Sequence, residues 1–142
     1  MAQSAPHTSR PAGPTSSAAG RPRRQPDPAR RKLGLAVVMV LVGSFLPWLF
    51  TGFGAISGGR GPGLWTAYAG ILGLAALFMP WRRVAGVHAA LLAVVAMALP
   101  AWQLVHVIGI GFGGWFPGPG LVVVFAGGVL AAAAARGMFR PL

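Results

Sequence analysis

Four stretches of this chain run without a single charged residue, over positions 33–50, 64–80, 84–108 and 119–135. At ~1.5 Å of helical rise per residue, each covers roughly 25 Å or more, close to the ~30 Å hydrocarbon thickness of a bilayer. Lipid offers the backbone no hydrogen-bond partner, so chain that crosses it must pair its own amides, as a helix or as a closed barrel. With 55% of its residues hydrophobic and 9% charged, the chain has the composition such a solvent demands. The expected fold is all-α: a polytopic membrane protein whose four transmembrane helices form a bundle built from two helical hairpins.

Between the first two runs lies residues 46–65, LPWLFTGFGAISGGRGPGLW, a glycine-rich turn held between aromatic ends. A shortened echo, GFGGWFPGPGL at 111–121, separates the last two runs. Gly52-Phe53-Gly54 and Gly61-Pro62-Gly63-Leu64 match Gly111-Phe112-Gly113 and Gly118-Pro119-Gly120-Leu121. Glycine permits the tight turn, and a proline at the start of the following run suits the first turn of a helix. The repeat predicts two hairpins in one orientation, related by an axis along the membrane normal. Pro100 falls inside the third run and predicts a kink there, because it cannot donate to the carbonyl of Ala96.

Charge gives the orientation. Twelve Lys and Arg face one acid, Asp27, and seven of the twelve fall within the first 32 residues. That segment contains no Val, Ile, Leu or aromatic residue, so nothing offsets the entropy of ordering it; 1–32 reads as a disordered basic tail and 33–142 as the membrane domain. With the tail inside, Arg82, Arg83, Arg136 and Arg140 fall on the same side and Arg60 alone lies outside. The positive-inside rule then predicts a multi-pass plasma-membrane protein with both termini cytoplasmic. The net charge of +11 is explained by topology, with no nucleic acid required. Arg30, Arg31 and Lys32 are expected at the anionic inner leaflet.

The same composition removes most chemistry. Without cysteine there is no thiolate ligand or nucleophile, and the runs contain no carboxylate for a proton relay or general acid–base pair. No catalytic residue, metal site or cofactor motif can be named. His88 and His106 stand 18 residues apart, ~27 Å along one helix face, too far to share an ion. Gln103 lies three residues after Pro100 and three before His106, so the amide, the ring and the opened turn can converge. Trp48, Trp65 and Trp115 map to the outer half with Arg60. These six residues, Gln103, His106, Arg60, Trp48, Trp65 and Trp115, are the candidate contacts for a lipid or a partner. Rows of small residues, Ala69 with Gly73, Ala89 with Ala93 and Gly127 with Ala131, are expected to pack helices closely.

Gly43-Ser44-Phe45-Leu46-Pro47-Trp48, followed by the glycine-rich turn, resembles small uncharacterised four-span membrane proteins of actinobacterial type. The resemblance implies a plasma-membrane location and carries no known activity. The four-run size is similar to that of small multidrug transporters, but the glutamate they need in the first span is missing. Gly63-Leu64-Trp65 is similar to the claudin signature, but the two cysteines that go with it are missing. By exclusion, the expected function is that of an integral membrane accessory or assembly protein. It would bind another membrane protein, or itself, through its outer turns and small-residue faces. A small oligomeric transporter, channel or lipid-handling protein is the alternative.

Overall fold

The computed structural model describes residues 27–111 and 113–140; residues 1–26, which make up most of the expected tail, and Phe112 of the second GFG lie outside the described residues. Four helices and three short strands follow in the order α1 (Pro28–Phe45), β1 (Pro47–Thr51), β2 (Gly54–Ser57), α2 (Gly63–Phe78), α3 (Arg82–Ile110), β3 (Phe116–Pro117) and α4 (Pro119–Phe139), with one 3-10 turn at Gly58–Arg60. The helices close into a ring in which α1 packs on α2 and α4, and α3 on the same two.

This corrects the all-α expectation of four membrane spans on two counts. First, the run 33–50 is not one helix. Pro47 disfavours helical geometry at Leu46, which is extended (ψ 162°), and α1 stops at Phe45. The residues after it pair as strands: Phe50 faces Ala55 on β2 and Phe116 on β3, giving an antiparallel sheet of order β2-β1-β3. Second, among the described residues only α3 and α4 are long and apolar enough to cross a membrane. α1 opens with Arg30, Arg31 and Lys32, leaving an apolar part of only ~20 Å, and the 16 residues of α2 reach ~24 Å.

The repeat survives in half. Gly61-Pro62-Gly63-Leu64 and Gly118-Pro119-Gly120-Leu121 each begin a helix, α2 and α4. The first GFG, however, is the turn between β1 and β2, while Gly111 ends α3 with φ 91°.

At the end of the ring opposite the sheet, charged side chains close the helices. Asp27, expected in the loose tail, instead caps α1: its carboxylate accepts from the Ala29 amide at 3.0 Å and lies 3.7 Å from Arg82. Arg30 donates to the carbonyls of Leu77 and Met79 at the C-terminus of α2, and Arg82 to Gly137 near the end of α4. Cationic donors suit exposed helical carbonyls and the negative end of the helix dipole. Arg82 Nε is the one buried side-chain nitrogen among the described residues without a hydrogen-bond partner.

The interior is built from small and branched residues. Leu33, Ala36, Val37 and Val40 of α1 meet Val124 and Ala131 of α4, with Ala89, Leu92 and Ala96 of α3. All six residues of the expected packing rows are buried. A Cβ at Gly73 would lie 2.7 Å from Leu92 Cδ2, and one at Gly127 2.8 Å from Val40 Cγ2, so a larger residue at either place would force its neighbours on the facing helix to shift. These faces are spent inside the ring. The outward faces are apolar as well: Leu35 and Val38 on α1, Ile71 and Leu72 on α2, Leu91 and Val94 on α3, and Val122 and Val129 on α4 are all more than half exposed.

Candidate functional site: a cavity beneath the sheet

α3 runs as one helix through Pro100, and its burial differs on the two sides of that residue. Before it, Ala85, Gly86, Ala89, Leu92, Ala93 and Ala96 alternate with the helical period and are buried. Just below Pro100 the two backbones are close, since a Cβ at Gly128 of α4 would sit 3.1 Å from the Ala96 carbonyl carbon. Beyond Pro100 only Val107 is buried, while Trp102, Leu104, Val105, Ile108 and Ile110 are exposed. The distal half of α3 therefore stands off from its neighbours, and a gap lies on each of two sides.

One gap is a wholly apolar groove of about 510 Å³ lined by Pro100, Leu104, Pro117, Leu121 and Phe125, among others. The other is a cavity of about 220 Å³ lined by Leu49, Gln103, His106, Val107, Ile110, Gly111 and Trp115. Its walls come from β1, distal α3 and the loop after α3, so the sheet that interrupts the first apolar run also roofs this cavity. Trp102 stacks on the His106 ring with centroids 5.4 Å apart and planes 13° from parallel. Among the described residues neither the Gln103 amide nor the His106 ring makes a hydrogen bond, whereas His88 Nδ1 is 2.9 Å from the Val84 carbonyl one turn back.

Of the six candidate contacts, Gln103, His106 and Trp115 line one cavity. Trp65 and Arg60 are exposed elsewhere, Trp65 against the edge of Tyr68 at 6.3 Å and Arg60 on the 3-10 turn. Trp48 is 2% exposed and cannot meet a partner or ligand. Its indole donates to the Gly43 carbonyl at 2.9 Å, and side chains at Gly58 or Gly120 would collide with it, so glycines from three segments form its box. It stands in the core because the strand after Pro47 turns it inward. Sequence reading also missed Leu49, Val107 and Ile110 as walls, and the Trp102–His106 stack, which i, i+4 spacing on a helix could have revealed. Arg30, expected at the lipid headgroups, is instead engaged with α2, while Arg31 and Lys32 are exposed.

Together, fold and cavity define a small, mainly helical protein with an apolar exterior, charge gathered at one end and a mixed cavity near the other. No family model matches the chain, and no curated protein matches it.

Proposed function

We propose that the chain is a non-enzymatic accessory protein of the plasma membrane, held there by α3 and α4, whose outer cap docks on another integral membrane protein. The observation that carries this reading is the sorting of its surface. Every helix exposes apolar side chains, whereas Arg31, Lys32, Arg83, Arg136 and Arg140 are exposed at the end away from the sheet. Exposed apolar surface on this scale has no place in water and is ordinary against lipid. α3 opens with Arg82-Arg83, and α4 carries Arg136 in its last turn with Arg140 just beyond it, so the positive-inside rule favours the start of α3 and the end of α4 on the cytoplasmic side. The exposed cations there suit anionic headgroups.

The small-residue faces are occupied within the ring, so the sheet remains as the docking surface. Phe53, at the turn that joins the paired strands β1 and β2, is fully exposed, and Phe116, paired with Phe50 across β1 and β3, is 64% exposed. Apolar aromatics on a rigid platform are what interface centres use. A photo-crosslinking residue at Phe53 or Phe116, activated in intact cells, should yield one discrete protein adduct, while the same residue at Ile71 should label lipid only. An adduct of twice the chain's mass at Phe53 would instead favour a self-associating lipid-handling or transport role. Equal lipid labelling at all three positions would defeat docking.

A further inference from the structure

We propose that the cavity beneath the sheet binds the anionic headgroup of a single-chain amphiphile, with Gln103 and His106 as its hydrogen-bond donors. This rests on the membrane placement proposed above and not on the docking partner.

The cavity joins two kinds of surface. Leu49, Val107 and Ile110 give it apolar walls, and Gln103 and His106 give it two side chains that no described residue satisfies. A ligand that suits both must itself be amphiphilic. Size narrows the class: at about 220 Å³ the space is smaller than the ~300–1,000 Å³ of pockets that enclose whole drug-sized molecules, so it takes a headgroup and the first methylenes of a chain. Charge narrows it again. Asp27, the only acid, sits at the opposite end against Arg82, so a cationic headgroup would find no counter-charge here. The Gln103 amide and an imidazole N–H can both donate to a carboxylate or phosphate oxygen. Trp102, stacked on the His106 ring with planes 13° from parallel, fixes the orientation in which that ring meets the cavity. Both polar side chains come from the half of α3 beyond Pro100, where Val107 alone is buried, so a headgroup can enter with little displacement of core packing.

The test uses the full chain in nanodiscs of uncharged lipid, after extraction with alkaline carbonate has established whether the chain is integral. Probes are brominated dodecanoate, dodecyl phosphate, dodecanol and dodecylammonium, read by quenching of tryptophan fluorescence, with Trp115→Phe assigning the signal to the cavity. Saturable quenching by the two anions and not by the alcohol or the ammonium is expected. The stronger of the two anions distinguishes a fatty acid from a phosphate-headed lipid as the source. Gln103→Leu and His106→Leu should each weaken the anions about tenfold, the scale of a lost hydrogen bond to a charged group. Gln103→Glu, a near-isosteric change at a half-buried position, should reverse the preference toward dodecylammonium. Equal quenching by all four probes, or variants that bind the anions as the native chain does, would overturn the proposal. A chain that carbonate extracts would overturn the membrane reading without touching the cavity result.

Discussion

The two ends of the helical ring are closed by opposite means. At the Asp27 end, side chains do it: one carboxylate and two guanidinium groups, Arg30 and Arg82, reach across to the termini of three helices. At the sheet end, backbone does it. Gly58 donates to Leu46 at 3.1 Å and Gly118 to Trp48 at 2.6 Å, and β1 pairs on both sides. Charged closure works where water or headgroups can solvate the remaining valences, and it is weakened by salt. Backbone closure does not depend on either, and among the described residues it leaves the sheet end free of charge except at Arg60.

The largest expected effect strikes the backbone-closed end. Trp48→Ala removes the side chain that fills the glycine box and strips the Gly43 carbonyl of its indole donor. Large-to-small changes at buried aromatic positions cost about 3–5 kcal/mol, and the box cannot collapse easily because its walls are backbone. Thermal unfolding in mild detergent should show that loss for Trp48→Ala and almost none for Trp65→Ala, whose ring is 68% exposed. Equal losses at the two positions would mean that the sheet end is not organised around Trp48.

That difference between two tryptophans also marks how far the sequence could be read. The four helices, the helix starts at GPGL, the burial of the small-residue rows and the gathering of charge at one end all follow from local pattern, because periodicity and charge act within a few residues. The convergence of Gln103 and His106 was legible for the same reason: they share one helix and are three positions apart. The sheet was not legible. Leu46 to Phe50 carries no charge, so hydropathy extends the first run through it, and only the backbone restriction imposed by Pro47 says otherwise. Nor could the roles of Arg30 and Arg82 be seen, since the carbonyls they meet lie 47 and 55 positions away. An arginine near a helix end looks the same in sequence whether it faces lipid or a neighbouring helix.

The next effect belongs to the charged end and follows from that distinction. Arg30→Met keeps the aliphatic stem but deprives the Leu77 and Met79 carbonyls of their donor. Hydrogen bonds to charged groups contribute roughly 1.5–3 kcal/mol when well formed, and this side chain is only half-buried, so a loss of about 1–2 kcal/mol is expected. Arg31→Met, one residue on and exposed, should leave unfolding within about 0.5 kcal/mol of the native chain. Adding salt should narrow the gap between the two variants, whereas the Trp48→Ala deficit should hold. A salt-independent gap would show that Arg30 acts by packing and would remove the contrast between the two ends.

The smallest effect lies just below the sheet, where α1 and α2 meet through two buried hydroxyls. Ser44 Oγ is 2.6 Å from the Val40 carbonyl and 2.7 Å from Thr66 Oγ1, which is itself 2.8 Å from the Gly63 carbonyl. Two hydroxyl protons serve three short contacts. If each donates to its own carbonyl, the two oxygens face one another with no proton between them, so one carbonyl must yield its hydroxyl proton to bridge the pair. Thr66→Val relieves this competition: Ser44 keeps Val40 as its acceptor, and the methyl fills the space the hydroxyl held. The change removes one partner but leaves the Ser44 hydroxyl its Val40 acceptor, so it should cost about 1 kcal/mol, the net worth of one ordinary hydrogen bond, although Thr66 is wholly buried. Thermal unfolding of the variant beside Trp48→Ala measures this directly. A loss comparable to that of the tryptophan would mean that the hydroxyl pair, and not the glycine box, is what joins the helices to the sheet end.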